Sequence, residues 1–237
     1  MTYQNEYNSA MFLYDAGQFE QAIPHFNKAL ASEPACPSSH HILGLCWYFC
    51  GRPDLAIDYL ERAVDLDPQD HEAHHNLGNV RKDLGLIDKA ISSYERALEL
   101  SPEWGEAHYS LGNMLAYTDR SRAVDEYRLA IKFSPDYFPA YVNLGGCLSS
   151  LGDFEEAIKI LRAAVTLRPD SSGANQSLGQ ALVSKGELDE GIKFLRIAIA
   201  LEESNALAHH CLGLALEKIG SAKESQDELK RARDLGM

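Results

Sequence analysis

Large apolar residues recur along this chain on a fixed beat. An alanine is followed four residues on by a large apolar residue at Ala22/Phe26, Ala56/Leu60, Ala90/Tyr94, Ala123/Tyr127 and Ala157/Leu161. The beat continues, with the alanine replaced, at Gly191/Leu195 and Ser225/Leu229. A spacing of four puts both side chains on one face of a helix. Leu-Gly pairs keep the same phase at Leu43-Gly44, Leu77-Gly78, Leu111-Gly112, Leu144-Gly145, Leu178-Gly179 and Leu212-Gly213, in steps of 34, 34, 33, 34 and 34 residues. Pro34, Pro68, Pro102, Pro135 and Pro169 mark a third register. Within one period, "HEAHHNLGNVRKDLG" reads as a helix and "LIDKAISSYERALELSP" as the next, with a turn at Gly85. Turn glycines such as Gly17, Gly51, Gly152, Gly186 and Gly220 supply the positive φ that ends each first helix. The Leu-Gly glycine lies inside a helix, where it costs up to about 1 kcal/mol against alanine. Its recurrence predicts a partner helix packed too close for a β-carbon.

Seven units tile the chain, roughly 3–36, 37–70, 71–104, 105–137, 138–171, 172–205 and 206–237. The pattern resembles the tetratricopeptide repeat (TPR) family, whose signature is W-x-x-L-G-x-x-Y, then A-x-x-x-F, then P. The resemblance spans essentially every residue. It implies an all-α fold, a right-handed α-solenoid of seven helix-turn-helix units forming one solenoid over residues 1–237. It also implies a concave surface, lined by the first helix of each unit, where extended peptides bind. Two departures stand out. The fourth unit lacks its turn glycine and is one residue short around "AYTDRSRA", and the last ends in the charged "KESQDELKRARDLG", a helix expected to face solvent on one side as a cap does.

Charge narrows the partners. With 22 Lys+Arg against 35 Asp+Glu the net charge is −13, so the surface repels phosphate backbones and anionic membranes. The densest basic run, Lys230-Arg231 with Arg233, is interleaved with Asp227, Glu228 and Asp234. Neither nucleic acid nor membrane is expected as a partner. Cys36, Cys46, Cys50, Cys147 and Cys211 form an odd set without C-x-x-C spacing, which reads as reduced thiols in a cytosol-like compartment. No signal peptide is visible in "MTYQNEYNSAMFLYDAGQ", and no apolar run approaches the roughly 20 residues that span a bilayer. The expected location is cytoplasmic.

One motif points to chemistry. His71-Glu72-x-x-His75 is the H-E-x-x-H pattern that places two imidazoles around a zinc with a glutamate as general base. The repeat register argues against it. The fourth place of five units holds His40, His74, His108, Tyr141 and His209, an aromatic place in the family, so these read as half-buried packing residues. Only His71 and His75 remain as ligands, His75 is expected in open solvent, and no third ligand is indicated. Cys46 and Cys50, one helical turn apart near His40 and His41, suggest a metal site, but Cys46 and Cys147 occupy the same place in their units, one that is typically small and packed. No phosphate loop or nucleophile triad is present. The expectation is therefore no enzyme, no metal and no cofactor.

Function falls to the inner face. Carried over from the family, its rows read Asn8, Ile42, Asn76, Ser110, Asn143, Ser177, Cys211; then Met11, Leu45, Asn79, Asn113, Gly146, Gln180, Leu214; then Tyr7, His41, His75, Tyr109, Val142, Gln176, His210. None is charged. Asparagine forms helices poorly, yet its side chain offers the donor and acceptor that satisfy a peptide backbone of any sequence. Asn76, Asn79, Asn113 and Asn143 are similar to the asparagine ladder of the TPR superhelix of O-linked N-acetylglucosamine transferase. His75, Tyr109, Gln176 and Gln180 complete the expected peptide-binding set, with Ile42, Leu45 and Tyr48 as an apolar mouth beside Tyr14 and Phe49. The expected protein is a scaffold that binds an extended segment of a partner protein. Two alternatives stand beside it: the substrate-recognition region of a larger enzyme such as a protein glycosyltransferase, and a module that self-assembles through its terminal units.

Overall fold

In the computed structural model, which describes residues 2–237, those residues form fourteen α-helices and no strand. Consecutive helices pair into hairpins, and the hairpins gather into two compact units, Met1–Met114 and Leu115–Met237. The first unit holds α1 (Tyr3–Asp15), α2 (Phe19–Ser32), α3 (Pro37–Phe49), α4 (Pro53–Leu66), α5 (His71–Asp83), α6 (Ile87–Leu100) and the start of α7 (Gly105–Thr118). The second holds the end of α7, then α8 (Arg120–Phe133), α9 (Phe138–Leu151), α10 (Phe154–Leu167), α11 (Ser172–Lys185), α12 (Leu188–Leu201), α13 (Ala206–Lys218) and α14 (Ala222–Asp234).

In the first unit α1 to α6 each pack on the next, and α3 also touches α5. In the second unit α8 to α14 do the same, with α9 against α11 and α11 against α13. First helices of successive hairpins are thus neighbours, so residues one repeat apart come side by side. The cores follow the alanine and leucine beats: Ala22, Phe26, Leu43 and Cys46 in one cluster, Ala56, Leu60, Leu77 and Val80 in the next. In the second unit Leu161, Leu178 and Leu182 form one cluster and Leu195, Leu212 and Leu216 another.

The punctuation has a physical basis. Gly85, at φ +73°, donates its N–H to the Lys82 carbonyl (2.9 Å) while Leu86 donates to Arg81 (2.8 Å). Two otherwise orphaned carbonyls are satisfied, and only a residue tolerant of positive φ fits between them. Where the fourth hairpin lacks that glycine, Asp119 alone joins α7 to α8 and caps α8 by accepting from the Arg122 N–H at 3.1 Å. The Leu-Gly glycine is equally constrained. A β-carbon on Gly78 would lie 2.6 Å from the Tyr94 ring, and one on Gly179 would meet the Gly191 carbonyl at 2.9 Å.

The recurring histidines have a structural task as well. His40, His74 and His108 each bond through Nε2 to the carbonyl of Pro34, Pro68 or Pro102, six residues back, at 2.9, 3.3 and 2.9 Å. Tyr141 donates to Pro135, Asn175 to Pro169, and His209 bonds to Glu203, so six consecutive hairpins pin the preceding loop in this way. Most charged side chains are at least partly exposed, Glu6 being a buried exception. In the second unit Arg128–Glu156, Arg162–Glu190 and Arg196–Glu224 pair at 2.8, 2.7 and 2.9 Å. Exposed pairs of this kind contribute little each. The helix α14 buries only Ser225 and Ala232, as a terminal helix with one solvated face does. Among the described residues no helix is long and apolar enough to cross a membrane.

Candidate functional site

A cleft of about 290 Å³ in the first unit lies where α3, α5 and the start of α7 converge. It brings together three residues of the apolar mouth, Leu45, Tyr48 and Phe49, with His75, Asn76 and Asn79. Glu72, Glu106 and Trp104 complete its wall.

Two amides are held by partners beneath them. Asp70 caps α5, accepting from the Ala73 N–H at 2.9 Å, and its other oxygen takes the His41 Nδ1 proton at 3.1 Å. That bond from His41 holds the Asp70 carboxyl below its usual range. An ionised carboxylate can only accept, so His41 carries its proton on Nδ1 and offers a lone pair at Nε2. The Asn76 Nδ2 therefore donates to it, at 2.9 Å. Asn76 is left with its carbonyl oxygen and one N–H for the cleft. Asn79 is oriented the other way, its oxygen accepting the Tyr94 hydroxyl proton at 2.8 Å and its NH₂ group left as donor. Tyr94 itself is fully buried, and the missing β-carbon of Gly78 is what lets its ring lie against α5. The helix contact read from the Leu-Gly beat thus also aims an amide.

His75 corrects the sequence expectation. It is 4% exposed rather than in open solvent, with its ring centroid 4.5 Å from that of Trp104 and 5.4 Å from that of Tyr94. Its Nε2 lies 3.1 Å from the Ser110 hydroxyl. Burial, helped by the nearby Lys82 charge, pushes its pKa down to about 4, so the ring is neutral at physiological pH. It serves the cleft as a packed wall. His71 is turned edge-on to Trp104, at 5.3 Å between centroids. Among the described residues no group of three His, Cys, Asp or Glu side chains is placed to hold a metal ion. The residue that covers His75 was not in the expected set. Trp104 occupies the place held by Cys36, Asp70, Tyr137, Ser171 and Asn205 in other units, and an outsized apolar side chain among small or polar loop residues was the signal to read.

The other expected residues divide by burial. Leu45 (8%) is core, Ile42 packs half-buried against the first hairpins, and Tyr48 stays half-buried with its hydroxyl donating to Asp83 at 2.6 Å. Burial and that bond push the Tyr48 pKa up to about 12. Asn113 and Tyr109 in the first unit and Asn143 in the second are half-buried and already engaged with neighbours. In the second unit Gln176 is buried and donates to the Gln180 oxygen at 2.9 Å, which leaves the Gln180 NH₂ group outward. Gln180 stands between a hydroxyl-rich pocket of about 290 Å³ with Ser149, Ser177 and Ser184, and an apolar one of about 400 Å³ with Leu207 and Leu214. All five cysteines are free, and Cys46 and Cys147 are buried in equivalent places, the Cys46 thiol pushed up to about 12 by desolvation.

Comparison with known proteins agrees with this architecture. Family models described as tetratricopeptide repeat match residues 7–71, 71–103 and 138–171, and one described as TPR repeat matches 179–220. The solved structure of MamA is 31% identical, covering 69% of this chain and 96% of its own, with a TM-score of 0.65. YrrB, described as a TPR protein with an unusual peptide-binding site, is 22% identical over 75% of this chain and 92% of its own, at 0.64. A tetratricopeptide repeat protein from Parabacteroides merdae covers 99% of this chain and 93% of its own, with 16% identity and a TM-score of 0.72. No curated protein sequence matches at a significant level.

Proposed function

This chain belongs to the tetratricopeptide repeat family, and from that premise we propose that it is a non-enzymatic scaffold whose first unit grips the main chain of an extended partner segment. The observation that carries this reading is the pair of oriented amides. Asn76 turns a carbonyl and an N–H to the cleft, and Asn79 turns an NH₂ group, because His41 and Tyr94 occupy their remaining atoms. A peptide backbone offers a donor and an acceptor at every residue, so such a pair holds it whatever its sequence. Orientation by buried partners lowers the ordering cost of binding. The half-buried rings of Tyr48 and Trp104 beside the amides supply apolar contact area. The peptide-binding site named for YrrB is consistent with this use of the fold. In the second unit Gln180 would serve a passing segment in the same manner.

The test is calorimetry of a bound peptide against wild type and the Asn76→Ala/Asn79→Ala double variant. Two hydrogen bonds at roughly 0.5–1.5 kcal/mol each predict binding weaker by about 1–3 kcal/mol, some five- to a hundredfold. Alanine's better helix propensity does not raise stability here, since each change also leaves a buried ring without its partner. Circular dichroism therefore fixes a temperature at which the variant is folded. Unchanged affinity there would place the binding elsewhere.

A further inference from the structure

The first-unit cleft also carries a charge signature that main-chain gripping does not require. Glu72 and Glu106 both line it, both are exposed, and neither is paired with a cation among the described residues. Among the described residues no Lys or Arg lines the cleft. His75, the one basic group in the wall, is held neutral by burial. Lys82, which lies near it, is committed to Asp83 at 3.4 Å, and Asp83 also takes the Tyr48 hydroxyl proton. Arg81, one residue earlier, turns away to Glu61 at 2.8 Å and to Ser93 at 2.7 Å. The lining thus holds two uncompensated negative charges beside three aromatic rings, those of Tyr48, Phe49 and Trp104. Pockets of the second unit differ: one has no charged residue, in another Glu217 is matched by Lys218, and in a third Arg196 and Arg231 are matched by Glu203 and Asp234.

We propose that this cleft selects a basic side chain, lysine or arginine, on the segment whose main chain it holds. The proposal rests on the main-chain reading of the same cleft and adds the identity of the ligand. A long basic side chain matches both features of the wall. Its methylene stem lies on aromatic surface, its head is attracted by the ring faces, and the two carboxylates neutralise it. An acidic segment would bring a third negative charge into a partly desolvated space, and a neutral one would leave both carboxylates facing the covered cleft. A metal ion is a poorer match, since no group of three candidate ligands gathers there among the described residues. The net charge of −13 draws a basic segment toward the molecule from a distance.

The experiment pans phage-displayed random dodecapeptides on the full chain. A selected peptide and its neutral form, citrulline for arginine or norleucine for lysine, are then measured by fluorescence anisotropy. The proteins are wild type, Glu72→Gln/Glu106→Gln and Asn76→Ala/Asn79→Ala, each checked for helicity by circular dichroism. The expected selection is enriched in Lys or Arg at one position. Neutralising that residue weakens wild-type binding about three- to thirtyfold, as two rim ion pairs allow, and added salt shrinks the difference. The Glu72→Gln/Glu106→Gln variant binds both peptide forms alike. Peptides that need Asn76 and Asn79 but show no basic preference would overturn this proposal and leave the main-chain reading standing. Peptides indifferent to both asparagines, or no selected peptide at all, would overturn the two together.

Discussion

Acidification should destabilise the first unit through His75. In the folded chain burial holds this imidazole at about 4, against the ordinary 6.5 in the unfolded chain. Between those values the unfolded chain binds a proton that the folded chain refuses. Stability that is complete above 6.5 is therefore lost as pH falls toward 4. At about 1.4 kcal/mol per pH unit, that interval gives a ceiling of about 3 kcal/mol. The perturbation that isolates it is His75→Phe, which keeps a ring against Trp104 and cannot titrate. Urea unfolding followed by tryptophan fluorescence suits the question, because Trp47 and Trp104 are the only tryptophans and both lie in the first unit. From about pH 7 to about pH 4.5 wild type should lose up to about 3 kcal/mol more than the variant. Other titrating groups act on both chains and cancel in the difference. Parallel losses in the two proteins would refute the reasoning and return His75 to solvent.

Further outcomes follow from the same geometry. Gly179→Ala puts a β-carbon 2.9 Å from the Gly191 carbonyl and should destabilise by about 1–3 kcal/mol in thermal melts, whereas Gly146→Ala, with nothing within 4 Å, should be neutral or gain up to about 1 kcal/mol. Asp70→Ala removes the α5 cap and the partner that fixes the His41 tautomer. It should cost about 0.5–2 kcal/mol in chemical denaturation and weaken peptide binding, while Asp67→Ala, on the exposed loop, should leave binding unchanged. Equilibrium dialysis against zinc should find no stoichiometric metal in wild type or His71→Ala; one bound equivalent lost with His71 would restore the H-E-x-x-H reading.

The repeat and its hairpins were legible because every marker is local: an alanine beat within one helix, a glycine at a turn, a proline after it. The close helix contact was legible too, since a helical glycine recurring against its propensity has few other causes. Less could be read where the cause lies in a neighbouring repeat. Trp104 buries His75 from 29 positions further along the chain. His41 orients Asn76 from 35 positions away, and Tyr94 orients Asn79 from the next helix. One helix read alone gives the amide but not its direction. The charged rim was missed for a related reason, because Glu72 and Glu106 start their helices and fall outside the inner rows taken from the family. The division at Met114 left no trace in the markers, which keep their phase to within one residue across it.

The central claim is that Asn76 and Asn79 themselves meet the bound segment. The most direct measurement is nuclear magnetic resonance of the asparagine side-chain NH₂ groups during titration with a selected peptide, with Asn27 on the exposed outer face as control. The account predicts that the Asn76 and Asn79 signals shift and saturate together with the anisotropy change, while Asn27 stays still. Saturated binding with both of those signals unmoved would contradict it.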